Sequence, residues 1–341
     1  MLVGGWVLSM KLSILDQAPV SNNQTPQSAL FASKQLAQAG ERFGYTRFWI
    51  AEHHDLNGLA CSAPEVMLSY IGAHTHSIRL GSGAVLLPHY KPYKIAEVFN
   101  LLATLFPNRI DLGIGRAPGG SAEATEALSD HFLQQVWKMP ELIEELLFFL
   151  QRDFPEDHKY SKLKASPVPE VSPEAWLLGT SRKSAKLAAT NGMSYAFGQF
   201  MSELDGAEII LEYINSFQPN KQGQKPSALV TVNAYCAETT QEAEEIALSS
   251  LVWQVTREKN IFTGAPSIED AKKIKLDAKE QEQLTNLKEK MIIGNPQEVR
   301  DRLNQIKEKY LVDEIMIVTI THSLNDKIQS YKLIADSVLS K

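Results

Sequence analysis

A chain of 341 residues, 44% hydrophobic and 22% charged, carries enough apolar material for a sizeable core and excludes a disordered or fibrous protein. Its formal net charge of -6 argues against a nucleic-acid face, because neutralising phosphates requires a basic surplus. The two cysteines, Cys61 and Cys236, have neither CxxC nor metal-ligand spacing, so two buried thiols are expected, with no disulfide framework and no metal site.

The first ten residues, MLVGGWVLSM, are apolar but lack a basic n-region, and read as an N-terminal extension before the folded part at 11–341. No stretch has membrane-spanning length, so the expectation is a cytoplasmic protein with no membrane partner. From residue 11 onward, short β-branched apolar runs alternate with longer amphipathic segments. Strands are predicted at 12–16, 48–52, 78–87, 110–115, 175–179, 194–198, 229–236 and 314–319. The intervening helices fall at 27–43, 63–74, 93–105, 132–151, 181–191, 205–217, 241–251 and 296–310, and a last one at 324–339 closes the chain. A doubly wound sheet would alternate in the same way. Eight units without an early GxGxxG turn favour a single-domain (β/α)8 TIM barrel. One stretch, 257–290, breaks the rhythm: it is rich in charge and poor in apolar periodicity, and reads as a solvated insertion before the last βα unit, with a flexible lid over the active site as the alternative.

Reacting groups of such a barrel lie at the C-terminal ends of its strands, which directs attention to the polar residues there. The second strand, RFWIAEHHD, ends in Glu52, His53, His54 and Asp55. Strand alternation points only every other one of these into the mouth, which disfavours a tight metal cluster. A histidine at this place either serves a cofactor or reaction as a proton donor or acceptor, or satisfies a buried carboxylate. In the third strand Gly81, Gly83 and Ala84 stand where bulky residues would fill a barrel. They mark either a bulge or the close approach of something flat. The fourth strand delivers Arg116 beside Gly119 and Gly120, suited by charge to a phosphate, or else to a surface ion pair. The fifth ends at Gly179, and Thr180, Ser181 and Ser184 then open an alanine-rich helix, where free N–H groups attract an anion. In the sixth, Tyr195, Phe197 and Phe200 read as core filling or as a stacking platform.

The motifs SILDQAPVS, RFWIAEHHD, IRLGSGAVLLPHYKPYKIAEVFNLL, NRIDLGIGRAPG, WLLGTSRKSAKLAATNGMSYAF and DEIMIVTITHS occur in register from about residue 11 to the C-terminus. Together they resemble the bacterial luciferase-like monooxygenase superfamily. The resemblance implies a barrel with FMN across its C-terminal mouth, and a phosphate held by Arg116, Thr180, Ser181 and Ser184, with Tyr195 among the cofactor-binding positions. It implies a non-proline cis peptide at Gly83–Ala84 and a mechanistic role for His53. It further implies that a separate flavin reductase delivers reduced FMN, that oxygen is transferred to a small organic substrate, and that the protein is a homodimer. Thr180 stands where some luciferase subunits carry an acidic residue, which separates this chain from light emission. A deazaflavin-dependent hydride transfer and a catalytically silent flavin-binding protein are the alternatives that the same barrel allows.

Overall fold

The computed structural model describes residues 10–339. The segment 1–10 expected to form an extension therefore lies, except for Met10, outside the described residues. In chain order the strands are β1 (Lys11–Asp16), β2 (Arg47–Ile50), β3 (Arg79–Ser82), β4 (Val85–Leu86), β5 (Ile110–Gly115), β6 (Glu174–Gly179), β7 (Ser194–Gly198), β8 (Ala228–Cys236), β9 (Ile292–Gly294) and β10 (Glu314–Val318). The helices are α1 (Pro26–Phe43), α2 (Pro64–Gly72), α3 (Pro92–Leu105), α4 (Ala122–Leu128), α5 (Phe132–Trp137), α6 (Met139–Gln151), α7 (Arg182–Thr190), α8 (Gly206–Ser216), α9 (Thr240–Thr256), α10 (Ile268–Lys273), α11 (Ala278–Lys290), α12 (Pro296–Tyr310) and α13 (Leu324–Val338).

Parallel pairing runs β1, β2, β3, β5, β6, β7, β8, β10 and back to β1, which closes an eight-stranded barrel inside a ring of helices, the (β/α)8 fold. Alternation along each strand sorts its residues into two cores. Leu12 and Ile14 of β1, Phe48 and Ile50 of β2 and Leu112 and Ile114 of β5 face the helices in one large cluster. Leu15, Trp49, Trp176, Ala196, Leu229 and Met316 form the second cluster, the filling of the barrel. Both cysteines are free and buried, as expected.

Element boundaries depart from the sequence expectation at several places, and four of them have a clear local cause. The long third strand is interrupted into β3 and β4 at a cis Gly83–Ala84 peptide bond. The single helix expected over 132–151 splits at Lys138, because Pro140 near the start of α6 has no N–H to extend the preceding helix. Strand β9 has three residues, too few to leave a periodic trace, and pairs with the upper half of β8. The charged stretch 257–290 contains two capped helices: Ser267 caps α10, and an Asp277–Glu280 capping box starts α11. Leu284 and Leu287 pack against the Tyr235, Leu251 and Met291 cluster, while Lys272 and Lys288 pair with Glu245 and Glu244 of α9. Two leucines three residues apart suffice to seat a helix whose remaining surface is solvated.

Candidate active site

At the end of β2 the two histidines divide. Glu52 is buried, and its carboxylate accepts from the Tyr90 hydroxyl (2.7 Å) and the Leu86 N–H (3.1 Å). His54 Nε2 lies 2.7 Å from the same carboxylate. His54 is thus the histidine that satisfies a buried carboxylate. Burial, followed by the charge and hydrogen bond of Glu52, pushes the Tyr90 phenol well above its usual range.

His53 has no such partner. Its backbone N–H donates to Cys61 O (2.9 Å), but its Nδ1 is buried without a hydrogen-bond partner among the described residues. Burial first, and then the positive charges of Arg257 and His54, lower its pKa to about 4. The imidazole is therefore neutral near pH 7, with a ring nitrogen left over for something the protein does not supply.

The loops after β2 and β5 are zipped together below these side chains. His54 N donates to Gly119 O (2.8 Å), and Ser121 Oγ donates to Asp55 Oδ2 (2.6 Å). A Cβ on Gly120 would sit 1.9 Å from His54 O, so only glycine permits this approach. Small residues also line the neighbouring strand ends, where a Cβ on Gly115 would come within 3.1 Å of Ala84 Cβ.

Across the mouth, β6 ends at Gly179 and Ser181 caps α7, with reciprocal capping bonds to Ser184. Ser181 N donates to Ser184 Oγ (3.2 Å) and Ser184 N to Ser181 Oγ (3.3 Å). The Ser181 and Ser184 hydroxyls expected to meet a phosphate also form this cap, and the first turn adds the N–H groups of Arg182 and Lys183 beside them. Thr180 adjoins Gly198 at the strand end. Tyr195 lies behind this turn: it is fully buried, its hydroxyl is 3.1 Å from Ser184 Oγ, and its ring packs on Tyr213. Burial pushes the Tyr195 phenol up to about 12, against the opposing pull of Ser184, Ser181 and the Arg116 guanidinium. Arg116 itself is exposed at the end of β5, near Ser184.

Sequence reasoning missed the roof. Trp253, on the last turn of α9, joins the barrel cluster from above together with Phe262, and Arg257 stacks over its ring at 5.7 Å. A Cβ on Gly58 (φ +82°) would meet Trp253 at 2.4 Å. The stretch after Arg257 lies along the β1 loop, with Ala265 N donating to Val20 O (2.9 Å) and Asn22 N to Ala265 O (2.8 Å). A Cβ on Gly264 would lie 2.0 Å from Val20 O. Glycines beside an aromatic residue were the available signal, but nothing local tells which strand end Arg257 faces.

Residues 10–314 match the pattern of a family described as luciferase-like monooxygenase. The N-acetyl-S-alkylcysteine monooxygenase of Bacillus subtilis (strain 168) is 36% identical over 332 residues, covering 97% of this chain and 99% of that protein. The crystal structure of apo-MsnO8 superposes with a TM-score of 0.87 at 33% identity, over 98% of this chain and 99% of that one. The oxygenating constituent of the 3,6-diketocamphane monooxygenase of Pseudomonas putida, solved with FMN, has a TM-score of 0.72 at 18% identity. It shares the fold over 98% of this chain and 99% of its own.

Proposed function

The chain belongs to the luciferase-like monooxygenase family, and on that premise we propose that it is a flavin-dependent monooxygenase, using reduced FMN from a separate reductase to oxygenate a small organic substrate. One observation carries the reading: a half-buried histidine, uncharged and with its Nδ1 unpaired among the described residues, stands at the C-terminal mouth of a barrel with an anion-binding helix start opposite. The residues present fit a flavin mononucleotide. Arg116 and the first turn of α7 offer charge and N–H donors to its phosphate, and Ala84 and Gly115 keep bulky side chains off the neighbouring strand ends.

When bound, reduced FMN supplies the two electrons that reduce oxygen, one atom of which enters the substrate while the other leaves as water. The chain supplies everything else. Arg116 and the α7 turn orient the cofactor by its phosphate. Trp253 and Phe262 keep water from the mouth, where electrostatic contacts are stronger for its exclusion. The accessible part of the neutral His53 ring accepts or returns a proton at the reacting centre. Glu52, Tyr90 and His54 hold the backbone beneath it. The reading extends to one catalytic domain over 11–341 with 257–290 as its roof, acting in the cytoplasm as a homodimer.

The relative named for N-acetyl-S-alkylcysteine oxygenation suggests thioethers as the first substrates to try. The test is an anaerobic titration of the full chain with reduced FMN, followed by admission of oxygen with and without a thioether. Saturable flavin binding, and one oxygenated product for each reduced flavin consumed, are expected. Absence of flavin binding, or oxygen uptake yielding only peroxide with every substrate tried, overturns the reading.

A further inference from the structure

Between α6 and α7, just beyond the phosphate turn, lies a groove of about 500 Å³. Arg116 and Ser184 line it together with Lys183 and Lys186, and Trp137, Met139 and Pro140 are part of its apolar wall. Two of its features have no use in the fold. Trp137 is 84% exposed, an expensive placement for an indole that the core does not require. Arg116, Lys183 and Lys186 are exposed and form no ion pair among the described residues, although the chain carries a net charge of -6. Their neighbour Arg182 shows the contrast, since it holds both Glu208 (2.6 Å) and Glu212 (2.6 Å). An apolar wall with an upturned aromatic ring and three unclaimed cations is complementary to an anion attached to a flat heterocycle.

FMN ends at its phosphate, whereas the groove continues. We propose that this groove takes the adenylate half of a dinucleotide flavin, so that the protein binds FAD as well as FMN. The inference rests on the flavin reading above. The phosphate shared by both flavins meets Arg116 and the α7 turn, the second phosphate of FAD meets Lys183 and Lys186, and the adenine lies against Trp137. A volume of about 500 Å³ suits a nucleotide half, ligand sites commonly ranging over roughly 300–1,000 Å³. Both lysines project from one helix at i and i+3, the spacing that places two side chains on the same face.

The experiment is a titration of the full chain with FMN and, separately, with FAD, read by flavin fluorescence. It compares wild type, Lys186→Ala and Trp137→Ala, with thermal midpoints recorded for each. The wild type is expected to bind FAD within about threefold of FMN or more tightly. Loss of Lys186 should weaken FAD about tenfold or more, the usual worth of a charge-assisted contact, and leave FMN within about twofold. Trp137→Ala should act in the same direction, and all three proteins should melt alike because these side chains are exposed. Tight FMN binding with FAD bound more than about tenfold more weakly overturns this inference alone. So does a parallel loss of both flavins in the variants. Failure of the wild type to bind either flavin overturns the flavin reading and this inference with it.

Discussion

The two ends of the barrel handle their buried polar groups in opposite ways. At the N-terminal end, Arg47 is clamped between Asp111 (2.9 Å) and Glu314 (2.7 Å), and Arg79 pairs with Asp111 and Glu174. Trp49 Nε1 donates to Asp111 (2.9 Å), and Ser13 donates to Glu314. Burial alone would lower the Arg47 pKa, but Asp111 and Glu314 outweigh it and hold the guanidinium charged. At the C-terminal end, Glu52 is matched with equal care, yet His53 beside it keeps a buried ring nitrogen with no partner. A dense ion network at one end, and an unpaired histidine nitrogen beside a satisfied carboxylate at the other, distinguish the residues that hold the barrel from a candidate for its chemistry.

That separation can be broken by substitution at either end. Arg47→Ala leaves Glu314 buried without its counter-ion and Asp111 with Arg79 alone, and should cost about 3–5 kcal/mol of stability. Urea unfolding measures it, and activity per folded molecule should hold near the wild-type value. The converse is expected of His53→Gln: turnover should fall by about 100- to 10,000-fold, with the FMN dissociation constant within a few-fold. Steady-state oxygenation and flavin titration on the same preparation decide it. If turnover survives while the melting temperature drops, His53 belongs with the structural residues and the contrast between the ends disappears.

Two smaller effects sharpen it. Arg116→Ala should weaken FMN binding by about 1.5–3 kcal/mol through loss of a charge-assisted contact, read from the fluorescence titration. Acid should act through His53. Its folded pKa of about 4 lies below the roughly 6.5 of an unfolded histidine, so the unfolded chain takes up the proton first as pH falls. Between about pH 6.5 and 4 the wild type should lose on the order of 2 kcal/mol from this residue, stability being fully restored above that window. His53→Gln should show a flatter decline over the same interval in denaturant titrations at stepped pH, and parallel curves would remove the assignment.

How much of this was legible in the sequence follows from how local each cause is. Strands such as Ile110–Gly115 and Ser194–Gly198, and helix Pro296–Tyr310, were placed to the residue because hydrophobic period and caps act within a few positions. The break after Gly83 was expected, but only from the family resemblance. The division of labour between His53 and His54 was not readable, because it depends on Tyr90 and Leu86 arriving from another loop to finish the Glu52 shell. The serines after Gly179 were legible as a helix start. That their hydroxyls would also close a reciprocal cap is a matter of rotamers, which a sequence pattern does not carry. The roof was the least legible part, since Trp253 lies past the predicted helix end at residue 251 and Arg257 opens a stretch whose composition reads as solvent-facing.

The seam between Gly264–Ala265 and Val20–Asn22 is made of main-chain atoms and a glycine. Main-chain bonds are indifferent to the side chains outside them, so helices α10 and α11 can change charge, length or apolar content while the seam stays in register. The roof then has a fixed hem and a variable outer cloth. Descendants of this chain can acquire new surfaces there, and new neighbours in the cell, without redrawing the strand ends at which the histidine and the phosphate turn stand.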